Sequence, residues 1–269
     1  MFPITAKSCA EAWLKAANHL MLQPERRDYN LILEIAEPMR LSPEDKMIHN
    51  LVDICLSRLP EEETSLNTVI NTIFPAKIYA LHGAEGVFTR YCQVRDSVKR
   101  ERDNKWGTYF LRMTKRIDRE GNEFNPLKDL IEKLKIQLGT SNPKRAAYEI
   151  NLVDPLMDIP IYSAGTDRNY TMGGPCLSHL SFKLKAEGSL MLTGFYRSHY
   201  YIRRALGNLC GLAWLQHFVA SELRIETAEL VCISSMGILD ADGVGAQGVR
   251  SLINNCNEVM GSHETSPAN

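Results

Sequence analysis

Apolar positions along the chain follow two periods, one near three and a half residues and one of two, and the change between them divides the molecule. The longer period governs the first half. Ser8 can cap a helix reaching about His19, and "SPEDKMIHNLVDICLSRL" at 42–59 reads as a second helix. Ser42 is its expected cap, Glu44 and Asp45 occupy its first turn, and Met47, Leu51, Ile54 and Leu56 form the stripe expected to face the core. Between the two, "YNLILEIAEPMRLS" reads as a strand or buried segment ended by a proline-marked turn. A helical region from Leu66 to Tyr79 is expected to break at "HGAEG", and a polar helix to run on to about Arg100. The following charges, "VKRERDNK", read as a solvated face. Pro126 opens a further helix to about Leu138, which "GTSNP" ends.

The period of two takes over in the second half. "AAYEINLV" reads as a strand and "DRNYTMGGP" as a loop. In "LSHLSFKL", Leu180, Phe182 and Leu184 alternate with Ser181 and Lys183, as in a half-buried strand. "AEGS" turns the chain and "LMLTGFY" returns as the antiparallel partner, which brings Arg197 and Ser198 close to the level of Cys176. From Asn208 to about Leu223 the helical pattern returns in a very apolar form, expected to lie against the sheet. "AELVCISSMGIL" is the last strand. Helices with late antiparallel pairing predict an α+β class, a mixed sheet with packed helices. We expect one domain over 1–269, with a mainly helical half at 1–139 and the site in 140–260; the tail "GSHETSPAN" is expected to fray.

Composition narrows the function classes. The chain has 269 residues, 44% hydrophobic and 23% charged, enough for a sizeable core. With 31 Lys and Arg against 32 Asp and Glu the net charge is -1, so no global field favours nucleic acid or a membrane surface, and any bound anion must be captured locally. The N-terminus carries no secretory pattern and no stretch is long and apolar enough to span a bilayer, so a cytoplasmic location is expected. Seven cysteines, at 9, 55, 92, 176, 210, 232 and 256, form no CxxC pair. Neither a disulfide framework nor a zinc site is favoured.

One cysteine has distinctive company. Cys176 follows Pro175 and two glycines at a strand entrance. Alone it would be a small buried hydrophobe; a nearby arginine would lower its pKa and supply a thiolate. Cys210 and Cys232 have no such neighbours in the sequence. Arg197 with Ser198 offers a fork of donors suited to a phosphate dianion, or else a structural ion pair. Arg203 and Arg204 can add charge or face water. Asn208 presents an amide that donates and accepts, or else serves as a helix N-cap.

In this order and spacing, "PC", a hairpin, "YRS" and an asparagine eleven positions after the arginine resemble the active-site stretch of the thymidylate synthase family. The resemblance is best over about 140–240, and "WGTYFLRM" at 106–113 is loosely similar to a further motif of that family. It implies a thymidylate synthase-like fold and a pyrimidine nucleotide C5 methyl- or hydroxymethyltransferase. Cys176 would attack C6 of the base, Arg197 and Ser198 would hold the 5'-phosphate, and Asn208 would read the base edge, favouring uracil. The resemblance further implies 5,10-methylenetetrahydrofolate as cofactor, a pyrimidine nucleoside monophosphate as substrate, and a homodimer in which the partner's arginines complete the phosphate site. Arg145, with Lys144, stands at a comparable position. Leu177 and Tyr200 replace the family's histidine and aspartate, and Ile238 and Asp240 fall where its sugar-binding histidine and tyrosine would be. These departures leave a non-catalytic nucleotide-binding relative as the alternative. A Cys-His hydrolase using Cys176 with His179 or His199 is a third reading.

Overall fold

Side-chain caps fix where the first helices begin. In the computed structural model, which describes residues 3–59, 65–100, 108–118, 120–153 and 175–261, β1 (Ile4–Ala6) leads into α1 (Cys9–Met21), whose Ser8 Oγ accepts from Glu11 N at 3.2 Å. The expected loop at 167–174, Trp106 and Gly107, the side chains of the basic run at 98–105 and the tail from 262 lie outside the described residues. After a 3₁₀ turn at Pro24–Arg26 comes β2 (Arg27–Ile35), and then α2 (Pro43–Leu56) opens with a complete capping box between Ser42 and Asp45.

The inward face of α2 differs from the expected stripe. Ile48, Val52, Cys55 and Leu56 are buried, whereas Met47 and Ile54 are 52% and 51% exposed. Both sets have helical spacing, so the sequence offers two apolar stripes. The choice is made by Asp45, which is buried and accepts from Ser8 Oγ at 2.6 Å, turning its own face toward α1.

The helical region that begins at Leu66 also ends earlier than expected. α3 (Leu66–Ile73) stops because Phe74 precedes Pro75 and takes an extended conformation (φ -147°, ψ 125°). α4 (Ala76–Arg100) then carries the anticipated break as a kink at Gly83, where φ is 64°. α5 (Tyr109–Thr114), a small hairpin of β3 (Arg116–Ile117) with β4 (Glu123–Phe124), and α6 (Pro126–Leu138) complete the first half.

The second half supplies β5 (Tyr148–Asn151), β6 (Leu177–Leu184), β7 (Leu190–Tyr196), β8 (His199–Tyr200), a π-helical turn at Tyr201–Ala205, α7 (Leu206–Leu223), β9 (Thr227–Ile238) and α8 (Gly245–Gly261). Seven of the described strands form one mixed sheet in the order β1-β2-β9-β7-β6-β5, with β8 also on β9, and the class is α+β. β2 pairs with β9, so the first half contributes strands to the sheet as well as helices. β7 and β9 are parallel neighbours, and α7 is the crossover between them. Its residues are buried nearly all round, as its apolar sequence requires. Gln216 on it donates through Nε2 to the carbonyls of Leu190, Ala228 and Glu229, while its buried Oε1 has no hydrogen-bond partner among the described residues. Among the described residues no helix is long and apolar enough to cross a membrane.

Candidate active site

The β6–β7 hairpin brings two of the expected residues together. Leu177 pairs with Tyr196, so Cys176 just before β6 and Arg197 just after β7 face each other across the open end. Arg197 N donates to Cys176 O at 3.0 Å, and its Nε donates to Pro175 O at 3.1 Å. The backbone of Cys176 is thus held on both sides by one arginine, which answers for the rigidity that Pro175 suggests. Arg197 remains largely exposed, and Ser198 is half-buried beside it.

The thiol's electrostatics reverse the expectation from sequence. Burial raises the pKa of Cys176, and the positive charges of Arg197 and Arg204 recover only part of the shift. Tyr109 lies alongside, with its hydroxyl accepting from Leu177 N at 3.5 Å. Its pKa is pushed up to about 12, chiefly by burial and then by the neighbouring Cys176. The ring of Tyr109 meets Tyr196 edge-on at 6.5 Å, and the buried Tyr196 hydroxyl has no hydrogen-bond partner among the described residues. The two adjacent arginines divide. Arg203 pairs with Asp240 at 2.9 Å and Asp242 at 3.0 Å, while the charge of Arg204 acts on Cys176 and Tyr109.

Asn208 is not a helix cap. It is the third residue of α7, whose N-terminus is continuous with the π-helical turn and has no side-chain cap. The buried amide donates from Nδ2 to His199 Nε2 at 3.0 Å. An amide nitrogen can only donate, so Nε2 accepts and the ring proton sits on Nδ1, which donates to Ser234 Oγ at 2.9 Å. The imidazole stacks on Tyr196 at 4.0 Å and 4° and leans on Tyr201. Burial lowers its pKa to about 3, so it is neutral. This network fixes which end of the Asn208 amide points where, and through Tyr196 it adjoins the surroundings of Cys176.

Neither histidine weighed as a partner for Cys176 is bonded to the thiol. Both His199 nitrogens are engaged as above, and His179 binds Asn151 and Glu149, each at 2.7 Å. Arg145 lies elsewhere in the same chain. Its carbonyl accepts from Leu184 N, at the far end of an 8-residue strand that spans about 25 Å. Lys144 adjoins it and donates its N–H to Gln137 Oε1.

The residues at the departing positions have structural duties. Leu177 is fully buried. Tyr200 is 39% exposed under the Arg203 guanidinium, and Ile238 pairs with it on β9. Asp240 caps the π-helical turn, accepting from Ile202 N at 2.8 Å as well as from Arg203.

Sequence reasoning weighed Arg204 as added charge, and its charge does act on Cys176, but it did not single out Tyr109, Ser234 or the His199–Asn208 contact. Only Tyr109 had a signal, inside the "WGTYFLRM" stretch. It also set Cys210 aside for want of charged neighbours, whereas among the described residues its thiol is the one with a lowered pKa. Among the described residues no group of three or more His, Cys, Asp or Glu could hold a metal ion.

No protein-family model matches the chain, and no curated protein matches it in sequence. Among solved structures it is similar to the thermostable thymidylate synthase A from Bacillus subtilis, with a TM-score of 0.48 and 12% identity over 92% of this chain and 84% of that one. A likeness at that level establishes neither family membership nor an activity.

Proposed function

We propose that the chain binds a pyrimidine nucleoside monophosphate and that Cys176 adds to C6 of the base, the addition on which C5 methyl- and hydroxymethyltransferases depend. The observation that carries this reading is the clamp at the open end of the β6–β7 hairpin: a cysteine whose backbone is held by Arg197, with the charges of Arg197 and Arg204 acting on its sulfur and Tyr109 beside it. Arg197 and Arg204 provide the positive charge for a phosphate dianion, with the Ser198 hydroxyl beside them. In the addition, the thiol proton passes to solvent, the sulfur–C6 bond forms, and the ring double bond shifts its electrons toward C5 and the 4-carbonyl. Asn208 meets the base edge with the atoms that His199 leaves over, its second N–H and its Oδ1. In a homodimer, Arg145 would reach a phosphate only in the partner's site, since in its own chain it lies at the other end of β6.

Folate does not fit what the described residues offer. Leu177 is buried in the core, Tyr200 carries no acid, and Asp240 is consumed by Ile202 and Arg203. The described residues thus supply no contact for 5,10-methylenetetrahydrofolate. A second reading, a nucleotide-binding protein without catalysis, is favoured by the raised pKa of Cys176, which leaves little thiolate near neutral pH.

One experiment separates the two. Incubation with 5-fluoro-dUMP, followed by denaturation and peptide mapping, should place a covalent adduct on Cys176. Noncovalent binding without an adduct would select the second reading, and no binding of any pyrimidine nucleotide would end both. Arg197→Ala should weaken monophosphates by about 1.5–3 kcal/mol while leaving nucleosides unchanged, because a charge-assisted contact to a dianion is lost. Equal weakening of both by calorimetry would make the arginine structural.

A further inference from the structure

A second thiol, one that the fold activates, lies on α7 two residues beyond Asn208, and its chemistry does not depend on the reading of the nucleotide site. Cys210, the fifth residue of α7, sits with its Sγ 3.8 Å from His49 Nε2 on α2 and hydrogen-bonded to the thiol of Cys9, the first residue of α1. Asp45 and Asp53 face His49 from its own helix, and Asp45 is itself held by Ser8 Oγ. Three helices thus deliver two thiols, one imidazole and a fixed carboxylate to one junction. Cys9 and Cys210 are buried at 3% and 9% exposure, and His49 beside Cys210 is half-buried.

Charge separates the two sulfurs. Cys210 is lowered to about 6, first by the hydrogen bond from Cys9 and then, against burial, by His49; the imidazole is raised by the same contact despite its own burial. Both shifts favour the thiolate–imidazolium form of the pair. Cys9 is raised well above its ordinary value, foremost by its bond to Cys210, and its single S–H is shared with Pro38 O, to which it donates at 3.4 Å. One sulfur is a nucleophile and its neighbour is a thiol in reserve.

We propose that Cys210 and Cys9 form a peroxide-reactive thiol pair, with Cys210 as the attacking sulfur, His49 as its proton partner and Cys9 as the resolving thiol. The Cys210 thiolate attacks one peroxide oxygen; the S–O bond forms, the O–O bond breaks, and the departing hydroxide takes the His49 proton and leaves as water. Cys210 is then an uncharged sulfenic acid, which removes the negative charge that suppressed ionisation of Cys9. His49, now neutral, takes the Cys9 proton. The Cys9 sulfur attacks the Cys210 sulfur, the S–S bond forms, the S–O bond breaks, and the second hydroxide leaves as water with that proton. Two thiols lose two electrons, and one peroxide becomes two waters. The disulfide ties the N-terminus of α1 to α7 two residues beyond Asn208.

The full chain, reduced and freed of reductant, is treated with one equivalent of hydrogen peroxide at pH 7, quenched with N-ethylmaleimide and digested without reduction. The expected product is a peptide pair joined through Cys9 and Cys210. With dimedone present, Cys9→Ser should accumulate the sulfenic acid adduct on Cys210, whereas Cys210→Ser should leave Cys9 unoxidised. His49→Gln should slow oxidation of Cys210 by at least about tenfold, since a buried thiolate without its cation is scarce. Should a variant fail to fold by circular dichroism, the wild-type peptide map decides alone. Oxidation first at Cys176 or another cysteine, a different linkage, or full survival of both thiols would overturn the proposal.

Discussion

Gly207→Ala should destabilise the chain by about 3 kcal/mol, and Gly211→Ala by about 2, although alanine is the better helix former by about 1 kcal/mol. Both glycines lie on the face of α7 that meets α3, one turn apart. A Cβ at 207 would stand 2.6 Å from Val69 Cβ and 2.7 Å from its Cγ1, with Leu66 O at 3.2 Å. At 211 it would meet Ile73 Cβ at 2.9 Å and Ile70 O at 3.1 Å. Neither neighbour can step aside. The contacts are branch points and carbonyls of a helix, and β-branched side chains there have essentially one rotamer. Relief requires α3 to move away from α7, opening a core that Phe74 and Phe218 share at 5.1 Å. Urea unfolding at constant m-value measures the loss. An increase in stability at either position would show that propensity prevails and that the two helices are not in contact there.

The close approach of α3 and α7 illustrates what the sequence could and could not convey. Capping at Ser8 and Ser42, the β6–β7 hairpin and the apolar character of α7 are local properties, and each was legible from a handful of neighbouring residues. The pairing of Leu177 with Tyr196 followed from them, and with it the meeting of Cys176 and Arg197. Properties decided by distant chain were not legible. The inward face of α2 is chosen by Ser8, which lies 37 positions from Asp45. His49 reaches Cys210 across 161 positions, and Ser234 reaches His199 across 35. The two thiols show the consequence most clearly. Cys176 had the arginine in its sequence, but burial outweighs that charge; Cys210 had only apolar neighbours in the sequence, but the fold supplies an imidazole. A thiol's reactivity is set by the three-dimensional balance of desolvation against charge, and the sequence shows only one side of it.

The same balance makes His199 a determinant of acid stability. Its imidazole is neutral and buried, with a folded pKa of about 3, whereas the unfolded chain binds that proton at about 6.5. Between these values the unfolded state carries one more proton than the folded state, so stability rises with pH across the window. The contribution is complete above about pH 6.5 and is lost as pH falls toward 3, at about 1.4 kcal/mol per unit. Protonation in place is opposed by geometry as well as burial. An Nε2–H would point at the N–H of Asn208 Nδ2, whose nitrogen lies 3.0 Å away, so the imidazolium forms only if the amide reverses or the network opens. Between pH 7 and 4.5 the wild-type chain should therefore lose about 3 kcal/mol more than His199→Gln, whose amide can still pair with Asn208 and has no proton to gain. Carboxylates elsewhere titrate in both proteins and cancel in the comparison. Urea midpoints taken at half-unit steps give the two curves. Parallel curves would mean that His199 is reached by water and titrates normally, and would remove it as the group that orients Asn208.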